Sequence, residues 1–96
     1  MNRYILAPAA RRDLRAIQAY IAQDSIQAAR RMLAEIRAAC ARLADNPHLG
    51  HARADLTDQA VHFWLVRIYY IIYRPATQPL EIVRIVHSAR DIPHFL

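Results

Sequence analysis

Arginine and histidine crowd one short stretch of this chain. From Ile82 to Ile92 (IVRIVHSARDI), Arg84 interrupts a β-branched run, and His87, Ser88, Arg90 and Asp91 follow it. A guanidinium pairs bidentately with carboxylate or phosphate, and an imidazole changes charge near neutral pH. Polar groups gathered at the end of a scaffold strand are where binding or catalytic groups tend to sit. With Arg67 and Arg74 upstream, Arg84, His87 and Arg90 are expected to converge on one face or edge. Such a set stabilises charge and moves one proton, which suffices for RNA cleavage. The competing interpretation pairs Arg84 or Arg90 with Asp91 or Glu81 and does no more than satisfy a strand end.

Other chemistries find less material. A chain with a single glycine, Gly50, builds neither a phosphate-binding loop nor a nucleophile elbow. His48 and His51 stand three apart beside Asp55, but no second pair at ligand spacing accompanies them, so they are expected to be surface loop histidines, with no metal and no cofactor. One cysteine, Cys40, excludes a disulfide framework and falls on an apolar helix face, as a small core residue would. Phe63, Trp64, Tyr69, Tyr70 and Tyr73 lie where strands are expected. They either stack bases or divide between core and sheet surface.

The elements that must position these residues follow from periodicity. Arg3 to Leu6 suits a first strand. Pro8 stands where a helix tolerates proline, in its first turn. Ala10, Leu14, Ile17 and Ile21 then recur at helical spacing, with Arg11, Arg12 and Arg15 on the other side, and this helix stops near Gln23 or Asp24. Ser25 is a good N-cap for a second helix, whose seam runs Ile26, Ala29, Leu33, Ile36, Cys40 and Leu43, widened by Met32 and Ala39. Asn46-Pro47 ends it. With so short a connection, the two helices form an antiparallel hairpin.

Pro47 to Gln59 reads as irregular. Val61 to Tyr73 would span about 43 Å as one straight strand, too long for a domain of this size. A bend or tight hairpin near Val66 to Ile68 is therefore expected. Pro75 to Pro79 marks a turn, and Leu80 to His87 is the last strand. The order β-α-α-β-β-β predicts a two-layer α+β domain over residues 1–96, an antiparallel sheet covered on one face by an α-hairpin.

The 96 residues are 55% hydrophobic, which excludes a disordered chain. The net charge is +5 and all thirteen basic residues are arginine. That balance suits an acidic partner or a solvated basic surface. No segment reads as a signal peptide or a membrane span, so the expectation is a soluble, cytoplasmic protein.

Four blocks together resemble the ParE/RelE superfamily of bacterial type II toxins. Arg12 to Ile21 resembles its first-helix signature, and Asn46-Pro47-His48-Leu49-Gly50, with Arg53 and Leu56, its Pro-x-x-Gly loop. Tyr69 to Pro75 is similar to its central strand, and Ile82 to Asp91 to its closing motif. The resemblance implies the same β-α-α-β-β-β fold and two alternative activities. ParE-like members bind DNA gyrase and poison it without hydrolysing anything. RelE-like members cut mRNA on the ribosome.

The ending His87-Ser88-Ala89-Arg90-Asp91-Ile92 is more similar to the ParE arm, which would make Arg84, His87, Arg90 and Asp91 the target-binding residues. Arg67, Arg90 and His94 would be the catalytic set if the nuclease arm applied. In either case the resemblance implies a cognate, ParD-like antitoxin. Its acidic amphipathic segment would lie on the arginine-bearing flank of the hairpin, at Arg11, Arg12, Arg15, Arg30, Arg31 and Arg37.

Overall fold

The computed structural model describes residues 2–90 and residue 92. Its elements are β1 (Tyr4–Leu6), α1 (Pro8–Ala22), α2 (Ile26–Asp45), β2 (His62–Val66), β3 (Tyr69–Arg74) and β4 (Leu80–His87). Pro8 opens α1 without needing an N–H partner. Three residues on, Ser25 caps α2, its hydroxyl accepting the Ala28 N–H at 3.1 Å. Ile26, placed on the apolar seam by its spacing, instead points outward from the first turn and is 63% exposed. The buried seam starts one turn later and runs through Ala29, Met32, Ile36, Cys40 and Leu43.

The four strands lie in the order β1-β4-β3-β2. β2, β3 and β4 are antiparallel, as expected, whereas β1 joins β4 in parallel, Tyr4 beside Leu80 and Leu6 beside Ile82, so the sheet is mixed. The α-hairpin is the crossover that makes this possible, since a parallel neighbour needs a connection of a dozen residues or more.

The expected bend is a two-residue hairpin turn between Val66 and Tyr69. Such turns want a left-handed first residue, usually glycine; here Arg67 takes that conformation, with φ 58°. The hairpin is thus formed without the glycine or asparagine that would have announced it.

β4 is bulged. Ile72 opposes Arg84 while Tyr73 opposes Ile82, leaving Val83 as the extra residue. Strict alternation would put Arg84 on the same face as Ile82, inside the helix-side core. The bulge rephases the strand, so Ile82 and Ile85 both join that core and Arg84 does not.

Two apolar layers result. Leu14, Ile17, Ile36, Cys40 and Leu43 pack against Tyr69, Ile71, Tyr73, Ile82 and Ile85 on the helix side. Each fully buried aliphatic side chain of this kind contributes about 1.5–3 kcal/mol. On the far face, Val61, Phe63, Ile72, Val86 and Ile92 form a smaller cluster, partly closed by Leu56, Tyr70 and Val83. Of the aromatic run, Phe63, Tyr69 and Tyr73 are buried, and Phe63 meets Tyr70 edge to face at 5.6 Å. The run is therefore core and sheet surface rather than an open base-stacking platform.

Candidate target and antitoxin surfaces

The chemistry-bearing end of β4 is organised by a residue that spacing alone had not singled out, Asp13. β1 covers β4 only as far as Ile82, and Ala7 closes that stretch with its N–H on the Ile82 carbonyl at 2.9 Å. Beyond it the strand edge would be bare. Asp13, one and a half turns into α1, fills the vacancy. Its carboxylate accepts the Ile85 N–H at 2.9 Å and two guanidinium N–H groups of Arg84, Nε at 2.7 Å and Nη2 at 2.9 Å.

The hydrogen bonds to Asp13 push the Arg84 pKa further above its ordinary value. Both side chains are mostly out of solvent, 18% exposed for Arg84 and 15% for Asp13. Of the partners considered from sequence, Glu81 pairs instead with Arg74 at 2.8 Å, and Asp91 lies outside the described residues. A signal for Asp13 was present. It falls on the stripe Ala10, Leu14, Ile17, where a lone carboxylate needs a cation, and Arg84 is the cation in an apolar strand.

Past Arg84 the chain is held by its own backbone. The Ser88 N–H bonds the Ile68 carbonyl at 2.7 Å, tying the end of β4 to the β2–β3 turn. His87 accepts the Ala89 N–H on Nδ1 at 3.0 Å and stands edge-on to Tyr69 at 5.8 Å. Arg90 is exposed, its N–H on the His87 carbonyl at 3.0 Å. His87 and Arg90 both line a groove of about 420 Å³, between α1 and the ends of β3 and β4, whose other walls are mainly apolar.

The five expected site residues do not all meet. Arg74 sits at the opposite end of β3 from this groove. Arg67, at the turn, is turned to α2, where its Nε bonds Glu35 at 2.9 Å. His94, the third member of the nuclease set, is outside the described residues. Among the described residues no three metal-ligating side chains cluster.

The hairpin arginines divide. Arg11, Arg15 and Arg37 line one cleft of about 340 Å³, together with Leu6, Leu14, Gln18 and Leu33. Arg30 shares the α2 stripe of Leu33 and Arg37, two turns earlier, and extends the same flank. Arg31 lies on the stripe of Glu35 and Arg42, which borders the β2 edge instead, and Arg12 is on the exposed crest of α1. Among the described residues no carboxylate lines the cleft.

The Pro-x-x-Gly loop is clamped by Tyr73. Its hydroxyl donates to the Pro47 carbonyl at 2.6 Å and accepts the Gly50 N–H at 2.9 Å. Burial pushes the Tyr73 pKa up, with the Gly50 N–H opposing. Any Cβ at position 50 would sit 2.5 Å from that hydroxyl and 2.8 Å from the Phe63 carbonyl oxygen, so only glycine fits. Beside it, Arg53 holds Asp55 at 2.8 Å and reaches the Tyr70 hydroxyl at 3.3 Å.

The geometry can be set beside known proteins. Residues 4–92 match the model of a family described as the ParE toxin of the type II toxin-antitoxin system, parDE. Among solved structures, one described as the chromosomal ParDE TA system from P. aeruginosa has the same fold, with a TM-score of 0.73 and 19% identity, covering 91% of this chain and 96% of that one. No curated protein matches the chain. The β-α-α-β-β-β order, the Pro-x-x-Gly loop clamped by Tyr73 and the closing strand with its Arg84 anchor all lie within the matched span. The chain belongs to the ParE toxin family of type II toxin-antitoxin systems.

Proposed function

We propose that this protein is held inactive in the cytoplasm by a cognate, ParD-like antitoxin and, once free, arrests growth by binding DNA gyrase directly. The observation that carries the antitoxin half is the cleft of Arg11, Arg15 and Arg37, three cations over an apolar floor with no carboxylate among the described residues of its lining. An acidic amphipathic segment recovers the cost of its own ordering there from apolar burial and paired charge. Arg30 extends that surface, and Arg12 and Arg31 flank it.

The target half rests on the β4 end. Arg84 is committed to Asp13 and positions the strand, which leaves His87, Arg90 and Asp91 to make the contact. The action is inhibition by protein–protein contact, not hydrolysis. An mRNA endonuclease built on Arg67, Arg90 and His94 has weaker support. Arg67 is engaged by Glu35, and the sheet face opposite the helices is an apolar cluster rather than a basic trough.

The test is a supercoiling and cleavage assay with purified gyrase. The wild-type protein is expected to inhibit supercoiling and trap cleaved DNA, and Arg90→Ala to lose both while remaining folded. Protein that arrests growth yet leaves gyrase untouched and cuts transcripts would overturn this assignment in favour of the nuclease.

A further inference from the structure

α1 separates two surfaces. Arg11, Arg15 and Gln18 face the basic cleft, while Asp13, Ala16, Ile17 and Tyr20 face the groove at the β4 end. At 3.6 residues per turn these two sets point about half a turn apart. The proposed function uses the polar residues beyond β4 and leaves unexplained why so much apolar surface lies open beside them. Tyr20 is 71% exposed and Ile68 51% exposed, one on each bank of the groove. Ile68 owes its position to the left-handed Arg67 that precedes it. Between the banks the floor is Ile17 and Ile85, both buried in the helix-side core.

We propose that this groove is the anchoring site for the target protein, and that it takes an apolar side chain carried on an acidic segment. The inference rests on the gyrase-type reading for the identity of the target, but not for the site. Charge decides the chemistry of the occupant. Among the described residues of the lining Asp13 is the one carboxylate, and its oxygens are already bonded to Arg84 and to the Ile85 N–H. Arg90, an exposed residue, lines the groove on a chain of net charge +5. An apolar floor with an arginine in the lining matches the usual anatomy of a binding hot spot, an aromatic or aliphatic anchor rimmed by arginine. Because the antitoxin cleft is on the other side of α1, target and antitoxin bind distinct faces.

The test expresses the full chain carrying Tyr20→Ala, Ile68→Asp or Ala16→Trp, with Asp58→Ala, in the exposed loop before β2, as control. All four positions are exposed, and Ala16→Trp fills the groove from outside, so folding is checked simply by thermal melting. The three groove variants are expected to lose growth arrest and to need at least about tenfold more protein to inhibit purified gyrase, as loss of a hot spot does. Asp58→Ala should behave as wild type. Folded groove variants that still arrest growth overturn the proposal and leave the groove to the antitoxin. A wild-type dimer in solution that Tyr20→Ala dissociates overturns it in favour of a second copy. A wild-type protein that arrests growth without touching gyrase, while the groove variants do not arrest growth, keeps the site and discards gyrase as its occupant.

Discussion

Asp13 carries more of this structure than its single charge suggests. It neutralises Arg84, which the bulge has lifted out of the core, and it supplies the acceptor that Ile85 would otherwise lack along the strand edge vacated by β1. Removing it takes the carboxylate from a poorly solvated guanidinium and the acceptor from the Ile85 N–H, and a buried polar group that loses its partner costs about 1–3 kcal/mol. Asp13→Ala is expected to lower the unfolding free energy by about 2–3 kcal/mol, read from urea melts, and Asp13→Asn by less because its carbonyl oxygen can still accept from Ile85. The double variant Asp13→Asn, Arg84→Gln should cost less than the two single changes added together. Strict additivity would mean that the pair is not coupled. The partnership spans 71 residues, which is why no local pattern disclosed it. An acid on an apolar stripe and a cation in an apolar strand were each visible, but only the fold brings them together.

Among the elements, the β2–β3 hairpin shows how tertiary pairing overrides turn preference. Thirteen residues of apolar sequence required a fold-back somewhere near Val66 to Ile68, and length alone located it. The strain that Arg67 accepts at φ 58° is on the order of 1 kcal/mol. Its ion pair with Glu35 is exposed on both sides, 67% and 41%, and exposed pairs contribute only about 0–1 kcal/mol. Strain relief therefore outweighs the lost pair. Arg67→Gly is expected to leave the melting temperature unchanged or raise it by a few degrees, and a loss of more than about 1 kcal/mol would show that the ion pair matters more than the backbone. The helices were the most legible elements because their burial repeats every three to four residues, and the Pro47, Ser25 and Pro8 signals bound them. Ile26 misled because spacing counts a residue onto a seam before the seam has begun. The bulge and the parallel seating of β1 were not legible, since register depends on a strand more than 70 residues away. Of the site, the basic flank and the β4 end were found from residue types, while Tyr20 and Ile68 were passed over as ordinary apolar positions.

For the molecule as a whole, the helix-side core buries groups that resist ionisation, Cys40, Tyr69 and Tyr73. Burial pushes the Cys40 thiol from its ordinary value near 9 up to about 12, and Tyr73 is raised as well. A group whose folded-state pKa is raised gives stability that is complete below the unfolded pKa and lost as pH climbs to the folded one. The contribution of these groups should thus be complete below pH 9 and fall between 9 and about 12, by at most about 1.4 kcal/mol per pH unit for each thiol or phenol. Cys40→Ala removes one of these groups. It is expected to melt below wild type at pH 7, for want of packing, and to draw level with it as pH rises toward 12; melts across that range would expose the idea as wrong if the gap stayed constant. The order of assembly has its own consequence. β4 lies between β1 and β3, so an inner strand of the sheet is made after the other three strands. Until Leu80 to His87 emerges, β1 has no neighbour, Asp13 has no strand edge to close, and β3 is paired on one side only. Such long-range closure is slow and close to all-or-none. A nascent chain therefore carries no finished sheet, and neither candidate surface is complete, before β4 has joined its two neighbours.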